Sequence, residues 1–248
     1  MLKLLLFISF TIFTAQSLAT DLYQLAVESA NRPAEDKIAD TRRQPEKVLR
    51  FFDIQPGQNV LDLFSGAGYY TELTSKIVGE SGHIDAHNNN AYIRYIGEDK
   101  LLKRYKANRL ANVSQLHQEA NDLSLCTSCY DRVLMVLTFH DLFYVDKAQG
   151  WPKIDAPILM TKIKRALKPA GMVGIVDHIA PIGSGEQAGQ TLHRVDSQLI
   201  KLHMQKWGFT LKEEAGFLKN PDDDGKHPMW DPSVKGKTSR AIMTFIKN

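Results

Sequence analysis

Long apolar runs are scarce in this 248-residue chain. Beyond its first residues nothing approaches the roughly 20 consecutive apolar residues of a membrane-spanning helix. Cysteine is nearly absent: Cys126 and Cys129 are the only two, too few for the disulfide framework of a small secreted scaffold. A chain of this length buries most of its unfolded surface without such staples. A dense basic block is also missing. The 31 basic and 28 acidic residues are scattered and leave a formal net charge of +3, so charge gives no reason to expect a nucleic-acid partner. No internal repeat or low-complexity tract is present, which excludes solenoids and propellers. Metal motifs are missing too. His83, His87, His193 and His203 have no compact ligand spacing, and Asp222-Asp223-Asp224-Gly225 lacks the alternating ligands and closing Glu of a calcium loop. No metal is expected.

What is there begins with a targeting signal. Met1-Leu2-Lys3 gives a short positive region, Leu4 to Phe13 an apolar stretch, and Ser17-Leu18-Ala19 a small-x-small triplet. Together they read as a signal peptide over residues 1–19, cleaved after Ala19. The mature protein is then expected to be periplasmic or secreted, with no stable membrane span after cleavage. In an oxidising compartment Cys126-Thr127-Ser128-Cys129 can close a small structural disulfide. The competing redox reading wants such a pair at a helix start, whereas this one precedes the apolar run Val133 to Leu137.

The remainder, 43% apolar and 24% charged over the whole chain, alternates strand and helix patterns. Residues 20–44 form an N-terminal extension and the least regular part. Pro45 opens a helix through Val48, Leu49 and Phe52, and Asn59 to Phe64 reads as a buried strand. Tyr69 to Val78 is helical, with strands at His83 to His87 and Val113 to His117 on either side of a helix within residues 91–107. Val133 to Leu137 and Met172 to Val176 are the fourth and fifth strands, separated by a helix from Ile158 to Leu167. A helix around Thr191 to Trp207, a strand at Phe209 to Glu213, a polar loop from Lys219 to Ser239 and a strand at Ala241 to Ile246 complete the order. Seven strands alternating with helices imply an α/β, Rossmann-like, mainly parallel sheet with helices on both faces and an antiparallel edge. Its ligand belongs at the carboxyl ends of the strands.

The strongest local signal is Val60-Leu61-Asp62-Leu63-Phe64-Ser65-Gly66-Ala67-Gly68-Tyr69-Tyr70-Thr71, a strand running through a glycine turn into a helix. Glycine permits positive φ and close backbone approach, and the helix start offers free N–H groups to an anionic ligand group. A dinucleotide fingerprint would require a third glycine where Thr71 stands, which disfavours NAD. The segment resembles motif I of class I S-adenosylmethionine (SAM)-dependent methyltransferases, and the strand order is similar to theirs over most of residues 45–248. Arg42-Arg43-Gln44-Pro45, Asn88-Asn89-Asn90, Phe139-His140-Asp141 and the tail from Asn220-Pro221 to Gly236-Lys237-Thr238 further resemble a family of predicted, exported methyltransferases.

That resemblance implies SAM as cofactor and a small-molecule methyl acceptor. It places Asp62, Phe64, Gly66, Gly68 and Tyr69 at the cofactor, with Phe64 standing where a first glycine is common. It puts Asn88 at the position usually held by a ribose-binding acid, and Glu119 near the adenine amino group, with Asp122 competing. His140, Asp141 and His178 fall where such enzymes face the substrate, after the fourth and fifth strands. Plainer readings stand beside these. Tyr69 can be a packing residue, Arg42 and Arg43 a solvated surface, and both histidines ordinary hydrogen-bonded loop residues. A noncatalytic nucleoside- or small-ligand-binding protein on the same scaffold is the alternative function.

Overall fold

The computed structural model describes residues 21–248; the expected signal peptide lies outside them. Strands β1 (Asn59–Asp62), β2 (His83–Asn88), β3 (Val113–His117), β4 (Tyr130–Val136) and β5 (Leu167–Ala180) pair in parallel in the order β3-β2-β1-β4-β5. The two-residue β6 (Val195–Asp196) pairs only with the end of β5. β7 (Phe209–Ala215) and β8 (Arg240–Lys247) complete the sheet, β8 inserting antiparallel between β5 and β7. The expected α/β sheet and its antiparallel edge are therefore present, in seven main strands and one short addition.

Alternating side chains feed two separate cores, as the pleat requires. Leu61, Val133, Met135, Val173, Ile175 and Phe245 point into one. Val60, Leu134, Val176 and Ile242 point into the other. The first is covered by α7 (Ala156–Ala166) and α9 (Ser197–Lys206). The second is covered by α1 (Leu22–Glu28), α2 (Ala34–Arg43), α3 (Pro45–Phe51) and α4 (Tyr69–Val78). Gly174 matters here: a Cβ on it would stand 2.7 Å from the Phe52 ring, so the missing side chain lets the end of α3 lie on β5. Cys126 and Cys129 are disulfide-bonded just before β4.

Three local expectations change. Residues 21–44 are not irregular, because α1 is capped by the Asp21 carboxylate and Ala26 and Ala39 are buried in the second core. The helix expected within residues 91–107 is two, α5 (Asn90–Ile96) and α6 (Glu98–Tyr105), broken at Gly97 with φ +86°. The helix expected around Thr191 to Trp207 is interrupted as well. α8 (Gln187–Leu192) stops at His193, whose φ is +48°, and α9 starts only after β6. Among the described residues no helix is long and apolar enough to cross a membrane.

Candidate functional site

At the carboxyl end of β1 the backbone turns through positive φ at Phe64 (+54°), Gly66 (+60°) and Gly68 (+80°) before α4 begins. Such backbone is cheap for glycine and strained for phenylalanine. Three braces hold the turn. Gly66 N–H donates to Asn88 Oδ1 at 3.0 Å, while Asn88 Nδ2 donates to Ser65 Oγ and to the Gly66 carbonyl. Thr71 Oγ1 donates to Asp62 Oδ2 at 2.6 Å, tying strand to helix. Arg104 on α6 donates from Nε to the Ala67 carbonyl at 2.8 Å and also pairs with Asp36 and Glu72. A Cβ on Gly66 would meet nothing within 4 Å, so the turn opens onto free space.

That space is a cleft of about 350 Å³ bordered by Asp62, Phe64, Gly66, Tyr69, Arg43 and Thr138. A second cleft, about 480 Å³, lies between Tyr95, His140, Asp141, Tyr144, Trp151 and Trp230. Tyr92 and Leu137 line both. The Tyr92 ring stacks on Phe64 at 5.1 Å, and Leu137 follows β4 in a left-handed conformation with φ +63°. A smaller hollow of about 190 Å³ is lined by Asn89, Glu119 and Asp122.

Histidine and carboxylate groups form the polar end of the aromatic cleft. Asp177, at 0% exposure, accepts from His140 N–H at 2.8 Å, meets His140 Nδ1 at 2.7 Å and accepts from His178 N–H at 2.7 Å. His140 Nε2 lies 3.3 Å from Asp141 Oδ1, and His193 Nδ1 lies 3.6 Å from the same oxygen. Tyr92 OH donates to the other Asp141 oxygen. Burial opposes a charged His140, but Asp141 and then Asp177 outweigh it and push the imidazole up to about 9. Burial and the neighbouring His140 charge hold His178 well below the usual histidine range.

The positions singled out in the sequence separate into groups. Asp62, Phe64, Gly66 and Tyr69 border the first cleft, together with Arg42 and Arg43. Gly68 instead packs against α6, where a Cβ would stand 3.1 Å from Arg104 Cγ and Tyr105 OH. Tyr69 OH donates to Asp40 at 2.6 Å beneath the Arg43 guanidinium, so it is also a packing residue. Asn88 departs from the ribose-facing expectation: both ends of its amide are occupied by the glycine turn, and it is 2% exposed. Glu119 accepts from Asn90 N–H through Oε1 while Oε2 is buried without a partner. His140 and Asp141 line the aromatic cleft; His178 lines neither large cleft and meets Thr238 Oγ1 at 2.6 Å.

Sequence reading missed Tyr92, Arg104 and His193. No spacing marks the first two. His193 was set aside because its partners lie about 50 residues away in the chain, yet the break between α8 and α9 brings it to Asp141. The same break gathers a cluster that no sequence spacing marks: His140, Asp141 and His193 place one ligand atom each within 4.8 Å of one another.

No protein-family model matches the chain. Over 128 residues it is 28% identical to the ubiquinone/menaquinone biosynthesis C-methyltransferase UbiE of Vibrio cholerae, covering 52% of this chain and 44% of that protein. It is 26% identical over 138 residues to UbiE of Legionella pneumophila, covering 56% and 50%. The chain thus matches about half the length of these curated relatives. Among solved structures it is similar to a SAM-dependent methyltransferase from Aquifex aeolicus, with TM-score 0.60, 22% identity, and coverage of 88% of this chain and 99% of that one. A putative methyltransferase from Haloferax volcanii, in complex with the activator Trm112, gives TM-score 0.57 at 14% identity, covering 91% and 97%. The fold is that of the class I methyltransferases.

Asp62 yields a pH test. Full burial pushes its carboxyl from 3.8 up to about 7, against the Thr71 hydrogen bonds that favour the charged form. Between those values the folded protein holds a proton that the unfolded chain releases. The protonated group therefore contributes its full stability below about pH 4, and this is lost as pH rises through about 7. Chemical denaturation of wild type and Asp62→Asn should show the wild type losing on the order of 4 kcal/mol relative to the variant between about pH 4 and pH 8. A difference that does not change with pH contradicts the burial argument.

Proposed function

We propose that the protein is a SAM-dependent methyltransferase acting on a small-molecule acceptor. The single observation that carries the reading is the pair of adjoining clefts, one opening from the glycine turn and one lined by aromatic rings, with Tyr92 and Leu137 between them. The UbiE relatives methylate carbon in ubiquinone and menaquinone biosynthesis by their names, which supports a small acceptor here.

The residues present fit the cofactor. The open side of Gly66 admits close approach, and the buried Glu119 Oε2 and Thr138 Oγ1 offer hydrogen-bonding atoms that have no partner among the described residues. Asp62, Phe64, Gly66 and Tyr69 would hold the methionine end, and Glu119 the adenine end. When bound, SAM would supply an electrophilic sulfonium methyl for the acceptor atom, with S-adenosylhomocysteine as the leaving group. The chain's own contribution is alignment of the two clefts and exclusion of water by Tyr92, Trp151 and Trp230. With Nδ1 on Asp177, His140 directs Nε2 toward the aromatic cleft, where it would contact the acceptor.

The second reading, a noncatalytic nucleoside- or small-ligand-binding protein, is favoured by Asn88, whose amide is committed to the turn where methyltransferases present a ribose-binding acid. Calorimetric titration with SAM and S-adenosylhomocysteine tests the donor site. Saturable binding, weakened about tenfold or more in a folded Gly66→Val variant, is expected. A folded wild-type protein that binds neither compound contradicts the methyltransferase reading and leaves the second.

We also propose that the protein is exported to the periplasm or secreted. The charged start, apolar stretch and Ala19 triplet support this, and the Cys126–Cys129 disulfide suits an oxidising compartment. The mature protein recovered from an expressing bacterium should begin at Thr20 and fractionate outside the cytoplasm. Recovery of an unprocessed, cytoplasmic chain would overturn the proposal.

A further inference from the structure

Two buried carboxylates, Asp141 and Asp177, flank the His140 ring at the polar end of the aromatic cleft, with exposures of 7% and 0%. Neither forms an ion pair with a lysine or arginine among the described residues; their charged neighbours are histidines.

The distances within the cluster are informative. At 3.3 Å and 3.6 Å, the separations of His140 Nε2 and His193 Nδ1 from Asp141 Oδ1 are longer than ordinary N–H···O hydrogen bonds. They are close to the edge of a tetrahedron with metal–ligand bonds of about 2.0–2.1 Å, which is roughly 3.3 Å. Supporting contacts are in place as well. His140 Nδ1 meets Asp177 Oδ1 at 2.7 Å, which leaves Nε2 directed at the cluster, and Tyr92 OH binds the Asp141 oxygen that faces away from it. Metal-binding histidines commonly have a carboxylate on their second nitrogen in this way. His193 itself is held in a left-handed conformation at the end of α8, with φ +48°. Strained backbone of this kind persists where the surroundings require it.

We propose that His140, Asp141 and His193 bind a divalent transition-metal ion, zinc in the first instance, with its open coordination position facing the aromatic cleft. Nitrogen and carboxylate donors in a two-to-one ratio suit zinc and its borderline neighbours over calcium or magnesium, which prefer all-oxygen sites. The open position selects acceptors that carry an oxygen able to coordinate, such as a phenolate or enolate next to the atom that receives the methyl group. This last step rests on the methyltransferase reading. The metal site itself does not.

The test is a titration of chelator-stripped protein with cobalt(II) and with zinc(II), read by visible absorption for cobalt and by thermal stability for zinc. Wild type should bind one equivalent, develop the visible bands of low-coordinate cobalt and gain stability with zinc. His193→Ala and Asp141→Asn should each weaken binding by about tenfold or more, while His203→Ala, outside the cluster, should leave it unchanged. Circular dichroism, measured in parallel, reports whether each variant is folded, and binding of S-adenosylhomocysteine whether the donor site survives independently. Failure of wild type to bind either ion, or equal binding by His193→Ala, would overturn the proposal even if the donor site binds normally.

Discussion

Everything near the carboxyl end of β1 depends on keeping a short stretch of backbone in a left-handed, open turn. Phe64, Gly66 and Gly68 all have positive φ there, and without braces such a turn would relax. Asn88 holds it from β2, the Asp62–Thr71 pair from within, and Arg104 from α6. Arg104 also carries the constraint outward, since its pairing with Asp36 and Glu72 ties α2 and α4 to the turn. α2 is therefore part of the cleft wall, and cannot be regarded as an appendage to the sheet.

Because the turn is fixed, the rest of the site can be placed relative to it. Leu137 follows β4, and Asp177 and His178 lie near the end of β5, both at the same end of the sheet as the turn, as expected for parallel strands whose carboxyl ends converge. Asp177 then positions His140 through backbone and ring contacts together, so one buried carboxylate sets the orientation of the polar end of the aromatic cleft. Tyr92 couples the two halves: its ring stacks on Phe64 and its hydroxyl binds Asp141.

Legibility in the sequence followed the range of the interactions. β1, α4 and β3 were readable because their signals are local: an apolar run, a glycine pair, a helical spacing. The glycine turn was readable for the same reason. Gly97 and His193 break helices that apolar spacing alone had joined, since periodicity does not register a single left-handed residue. Residues 20–44 looked irregular because α1 and α2 gain their stability from packing on α4 rather than from their own pattern. Asn88 was placed correctly at the end of β2, but its use by the turn depends on a contact 22 residues away in sequence. His193, Tyr92 and Arg104 act only through such distant partners.

The central claim is that the glycine turn and its neighbours form the site of a nucleoside methyl donor. Amide hydrogen exchange of the purified protein with and without S-adenosylhomocysteine tests it most directly. The account predicts slower exchange on ligand addition at residues 64–70, which border the first cleft, and at residues 119–122, which line the smaller hollow. Unchanged exchange at the turn, or protection confined to a surface remote from it, would contradict the account.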